Sequence, residues 1–180
     1  MRAFLLCLLL GPGVVLAENC PPYDQQVEKR ADLMAALRLA PDEMTARRIT
    51  GELWQVWLTA PDQRAKDLLD EGMSRREMLD FAGAIIAFDT LITYCPAYAE
   101  GWNQRAFARF LQGDYDGALG DLDRALEISP DHIGAQSGKA LSLLGLGRNE
   151  EAQGVLRDAL ALNPWLPERH LLENPPGERL

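Results

Sequence analysis

The sequence predicts an all-α fold: a solenoid of helix-turn-helix units stacked in register. Three observations carry that expectation. Pro96, Pro130 and Pro164 are each 34 residues apart. The same spacing aligns Ala84 with Ala118 and Ala152, Phe88 with Leu122 and Leu156, and Ile92 with Leu126 and Leu160. So many columns at one spacing mark an internal repeat. Each unit also reads as two helices. In the middle unit Trp102, Ala106 and Phe110 recur at i, i+4 and i+8, and Gly113-Asp114 interrupts them. Ala118, Leu122, Ala125 and Leu126 then form a second stripe, which Pro130 closes.

The elements follow in chain order. Residues 1–17 carry Arg2 and then an uncharged run from Ala3 to Ala17, broken by Gly11, Pro12 and Gly13. As a helix that run would rise about 22 Å, short of the roughly 30 Å hydrocarbon core. Val15-Leu16-Ala17 offers the small residues of a cleavage site, so the segment is expected to be a secretory signal cleaved before Glu18. An uncleaved anchor is the competing reading. Cleavage removes Cys7 and leaves Cys20 and Cys95. In an oxidising compartment these two are expected to form a disulfide, with two free thiols as the alternative. No CxxC pair is present, which argues against a thiol oxidoreductase. Loss of Arg2 takes the formal net charge from −9 to −10, and such a chain is repelled by nucleic acid and by anionic lipid. No stable membrane insertion is expected after cleavage. The short leader, the absence of Asn-x-Ser/Thr sites and the Ala/Leu/Arg-rich composition suit export to a Gram-negative periplasm.

Residues 18–64 have no clean match at the 34-residue spacing but still read as a degenerate helical hairpin. Val27, Ala31, Met34 and Leu37 form one stripe that Pro41 stops, and Met44 to Leu58 forms another, ending in LWQVWL. End units differ because an uncovered repeat face is apolar. The hairpin is therefore expected to cover the open face of the first repeat, with Trp54 and Trp57 as packing residues rather than a ligand cage.

Units 65–98, 99–132 and 133–166 follow. The small residues Gly72, Ala106 and Ala140, like Ala84, Ala118 and Ala152, stand where two helices of one hairpin would cross closely. Ala99 to His132, with Trp102, Ala106, Gly113, Tyr115, Ala118, Ala125 and Pro130, resembles a tetratricopeptide repeat. The third unit keeps Ala140, Gly147, Ala152, Ala159 and Pro164. The first keeps Gly72, Phe81, Ala84, Phe88 and Pro96 but has Leu79 where the others have Gly113 and Gly147. The resemblance covers 102 residues and implies a right-handed superhelical solenoid that binds other proteins. It also sets Asp121 opposite Arg105 as an ion pair. Past Pro164, residues 167–180 suggest a short closing helix, with Pro167 in its first turn, and a polar tail.

No constellation for chemistry emerges. Gly113 to Pro130 holds four aspartates, but a calcium loop counted from Asp114 would put Leu119 at the sixth position and Ala125 at the twelfth, where Gly and Glu are needed. Asp114 and Asp116 instead sit where a helix starts. GAQSGKA, residues 134–140, lacks the glycine spacing and the Ser/Thr of a phosphate loop. His132 and His170 have no partners at metal spacing, and His132 is expected in a solvated turn between repeats. No metal, no cofactor and no enzymatic activity are predicted.

What remains is a surface. In stacked hairpins the first helices line the concave side. In the middle unit Glu100, Asn103, Phe107 and Phe110 share one helical face. Shifting by 34 residues gives a groove floored by Met73, Phe107, Phe110, Leu141 and Leu144 and edged by Arg76, Asn103 and Ser137. Such a floor suits an extended or helical peptide. It fits poorly the clamp by which some tetratricopeptide relatives hold a terminal carboxylate, which needs several Lys, Arg and Asn side chains. Two alternatives stay open: the floor is internal packing, or the chain is a structural subunit of a cell-envelope complex held by its convex face or terminal helices. The leading expectation is a periplasmic adaptor that binds a peptide or protein segment.

Overall fold

A computed structural model describes residues 20–23 and 26–173. The predicted leader, residues 1–17, and the end of the tail lie outside the described residues. Eight α-helices follow one another among the described residues: α1 (Val27–Arg38), α2 (Glu43–Trp57), α3 (Gln63–Glu77), α4 (Phe81–Tyr94), α5 (Ala99–Leu111), α6 (Tyr115–Ile128), α7 (Ile133–Gly145) and α8 (Asn149–Leu162). The closing element is a 3-10 helix, Pro167–Leu171. No strand occurs among the described residues.

Aspartates start four of these helices. Asp42, Asp62, Asp80 and Asp114 accept the amide N–H three residues on, at 2.7, 2.8, 2.9 and 3.0 Å. Each satisfies a donor that the helix cannot. Asp62 also accepts the Tyr94 hydroxyl at 2.6 Å. The Ala65 amide and that hydroxyl hold its carboxyl below the usual aspartate range. The acid-rich stretch 113–130 is therefore a turn and a capped helix.

The turn inside each repeat is the same. Gly113 and Gly147 adopt φ of 80° and 73°, and Leu79 adopts 62°. The bonds around them match: Asp80, Asp114 and Arg148 donate their amides to the carbonyls of Arg75, Arg109 and Leu143 at 2.9, 3.0 and 2.9 Å. A left-handed C′ residue closes helices in this way, so the first repeat keeps the turn despite losing the glycine. Left-handed backbone costs an L-residue roughly 1–2 kcal/mol, and glycine gives back about 0.5–1 of that in unfolded-state entropy. Leu79 is 74% exposed and loses little packing on truncation. Leu79→Gly should therefore stabilise by about 0.5–1 kcal/mol. Chemical denaturation checks it; an unchanged or lower midpoint would mean the turn carries no strain.

Neighbouring helices pack in sequence from α3 to α8. Ala84, Ala118 and Ala152 are all buried at the crossings. Arg105 pairs with Asp121 and Asp89, which realises the ion pair that the repeat resemblance implied. Cys20 and Cys95 form a disulfide with Cα atoms 5.1 Å apart.

The N-terminal hairpin departs from expectation. Within residues 18–64, the helices α1 and α2 do not supply the cover of the first repeat. The two ends of the hairpin do that: Cys20, Tyr23, Leu58 and Ala60 pack on the cluster of Ala65, Leu69, Phe88, Leu91 and Tyr98, and Tyr98 donates its hydroxyl to the Trp57 carbonyl at 2.9 Å. The hairpin itself reaches the third repeat. Met34, Leu37, Ile49, Leu53 and Trp57 bury against Ile133, with Leu162 and Trp165 beside them. Trp165 donates its indole N–H to the Ala40 carbonyl at 3.2 Å. Arg30 pairs with Asp131 at 3.0 Å and Arg169 with Glu43 at 3.1 Å. The apolar stripe of α1 and α2 finds its match on the last repeat, so the first is left to short flanking segments.

Candidate functional site

The first helices of the three repeats, α3, α5 and α7, face α2 across a cleft of about 680 Å³. Met73 and Arg76 reach it from α3, Asn103, Phe107 and Phe110 from α5, and Ser137 and Leu141 from α7. Seven of the eight groove residues read from the sequence thus line one cavity. The eighth does not. Leu144 packs beside Leu119, Leu143 and Ala152, near Leu146 and Val155. It sits on the last turn of α7, where a side chain can lean toward the groove or toward the turn. The leucine-rich turn of the third repeat draws it to the second.

The sequence reading missed the opposite wall. Ala46, Thr50, Gly51 and Trp54 of α2 form it with Leu58 just past its end, and Trp165, Leu166 and Glu168 close one end. One signal was visible. Gly134 occupies a column held by Lys66 and Glu100 in the other repeats, inside a helix. A Cβ there would stand 2.6 Å from Cη2 of Trp54, so the glycine admits the indole that bridges hairpin and third repeat. Trp57 is buried in packing, as expected. Trp54 is half-buried and also contributes wall.

His132 corrects another expectation. It is fully buried rather than solvated. Its Nδ1 accepts the Ala135 amide at 3.2 Å, so Nε2 carries the proton and donates to Glu100 Oε2 at 2.8 Å. Trp57 stacks on the ring at 4.3 Å and 14°. Glu100, which by its spacing shares a helical face with Asn103 and Phe107, is 1% exposed and receives Asn103 and Gln104 as well. Gln104 in turn accepts from Arg76. A buried carboxylate needs such a full set of donors. The network runs from the hairpin through α7 and α5 to α3 and fixes the polar edge of the cleft. Beside it, burial pulls the Arg76 guanidinium below its ordinary pKa, while Glu77 and Glu100 oppose the shift. Arg76 lies over the Phe107 ring at 4.7 Å.

Among the described residues, no group of three or more His, Cys, Asp or Glu could hold a metal ion. No helix of the described residues is long and apolar enough to cross a membrane.

Stacked helical hairpins around a concave cleft define a helical-repeat protein. Models of the tetratricopeptide repeat match residues 69–133 and 109–172. A TPR repeat-containing protein of Rhizobium etli is 30% identical over 151 residues, 84% of this chain and 70% of that protein. The chain belongs to the tetratricopeptide repeat family. Tetratricopeptide repeat protein 36 of Xenopus tropicalis is 36% identical over 115 residues, 61% of this chain and 56% of that protein. The chain thus spans just over half of the frog relative's length. In fold it is similar to the first TPR of Spaghetti (RPAP3) bound to the HSP90 peptide SRMEEVD, with a TM-score of 0.58, 23% identity, and coverage of 59% of this chain and 84% of that one.

Proposed function

We propose that this protein is a non-enzymatic adaptor, exported to the periplasm of a Gram-negative bacterium, that holds a peptide segment of a partner protein in the cleft between its repeats and its N-terminal hairpin. One observation carries the reading: Met73, Phe107, Phe110 and Leu141 from three repeats converge with Trp54 on a single cleft of about 680 Å³. That volume lies in the range of built ligand sites, which are apolar with a few placed polar groups. Arg76, Asn103, Gln104 and Ser137 are those groups here. A peptide bound to a repeat array of the same fold supports the mode of binding. The Cys20–Cys95 bridge supports an oxidising compartment.

Phe107 is 45% exposed, so its side chain contributes little to stability and much to a bound apolar ligand. Phe107→Ala with Leu141→Glu should reduce capture of a periplasmic partner more than tenfold, since truncation of a buried interface anchor typically costs about 2 kcal/mol or more. The melting temperature should stay within a few degrees. Pull-down from periplasmic extract beside thermal melts checks both. Capture that survives the double substitution would place binding on another face; a collapsed melt would make the floor part of the core.

A further inference from the structure

We propose that the segment held in the cleft carries an acidic side chain between bulky apolar residues, and that Arg76 is the group that recognises the acid. This rests on the peptide-binding reading of the same cleft. Arg76 is half-buried on the cleft wall, and among the described residues Gln104 alone accepts from it. An arginine presents five N–H donors in a fixed fork, so most of its fork is open to a ligand. Among the described residues, no carboxylate stands within ion-pair distance of it. Elsewhere Arg30, Arg105, Arg109, Lys139 and Arg148 each hold a carboxylate directly. The nearby Glu100 spends its oxygens on His132, Asn103 and Gln104.

Two further atoms point to the same occupant. Ser142 is fully buried on the cleft wall and its Oγ has no hydrogen-bond partner. Oε2 of Glu168, another wall residue, is buried and likewise accepts nothing. Buried polar atoms are rarely left so. Both atoms are closed to solvent in the free protein, so a segment reaches them only if the wall parts; its amide N–H groups then supply what the Glu168 oxygen lacks, and its carbonyls or amides serve the Ser142 hydroxyl. A carboxylate on that segment completes Arg76 by charge-assisted bonds. Its apolar neighbours cover Phe107, Phe110, Leu141 and Trp54. A chain of net charge −9 repels acidic ligands at long range, so the preference arises inside the cleft, where salt screens it weakly.

The test is a random hexapeptide library displayed on phage with coat protein on both sides of each peptide, so that no free C-terminus is presented. Selected on the oxidised protein, it should enrich Asp or Glu next to Leu, Phe, Met or Trp. The leading peptide, made synthetically with blocked ends, should bind at least about tenfold more tightly by calorimetry than its Glu→Gln (or Asp→Asn) counterpart. Arg76→Gln should erase that gap and Arg76→Lys should retain part of it, with little change in either melt. Should Arg76→Gln melt early, the acid-versus-amide comparison on the unaltered protein decides alone. Enriched peptides without an acid, or equal binding of acid and amide forms, overturn the role of Arg76 and leave the cleft standing. Enrichment no greater than on the Phe107→Ala/Leu141→Glu protein overturns the peptide-binding reading itself.

Discussion

Reducing the Cys20–Cys95 bridge should destabilise the protein by about 4.5 kcal/mol, the loop-entropy value for a closure of this length. The bridge joins residues 75 apart in sequence. For a domain of this size that is a fall of roughly 10 °C in melting temperature. The effect is large because the bridge holds one of the two roots of the N-terminal hairpin. Cys20 and Tyr23 lie on the first repeat, with Tyr23 edge-on to Tyr98 at 5.2 Å. The other root, at Trp57, is bonded to that same Tyr98. With the first root cut, α1 is retained by its packing on α2, α8 and Ile133 and by the Arg30–Asp131 pair. Cys20→Ser is the better variant than one at Cys95, since Cys95 is 1% exposed and its loss would add a core defect. Melts with and without reductant check the figure. Coincident curves would show that packing alone anchors the segment.

The second large effect lies at the crossing of α3 and α4. A Cβ on Gly72 would stand 2.3 Å from Cε1 of Phe88, and Phe88 is fully buried. Overpacking of this kind costs typically 1–3 kcal/mol, against roughly 1 kcal/mol that alanine returns in helix propensity. Gly72→Ala should therefore destabilise by up to about 2 kcal/mol. Phe88→Leu alone should cost a similar amount through the void it leaves. The second and third repeats hold Ala106 with Leu122 and Ala140 with Leu156 at the same two columns. The double variant adopts that pairing, so it should recover most of the loss, with a coupling energy of at least about 1 kcal/mol. Additive losses in urea denaturation would show that ring and missing methyl group do not share one space.

What the sequence disclosed follows from how local each feature is. A spacing of 34 residues and a period of 3.6 sit in the chain itself, so the three repeats and the face bearing Met73, Phe107 and Leu141 could be read directly. The left-handed turn at Leu79 could not be read from its residue type, because the surrounding helices impose it. The seat of the hairpin on the third repeat was hidden for a different reason. Arg30 meets Asp131 across 101 residues and Trp165 meets Ala40 across 125, and no periodicity encodes such pairs. The expectation of a solvated His132 failed in the same way. Its partner Glu100 is 32 residues upstream and its stacking partner Trp57 belongs to a segment outside the repeat pattern. Only Gly134, small for no helical reason, hinted that something large lay against it.

Because the N-terminal hairpin grips the array at both ends, this protein cannot behave as an open-ended stack. In a chain of units that touch only their neighbours, unfolding can begin at one end and spread. Here a strut spans the whole length, so the outer units share a fate and the array should lose its structure in one step. The strut also fixes the number of units. An added fourth pair of helices would carry the far anchor point away from Trp165 and Asp131, and a missing one would leave the strut too long.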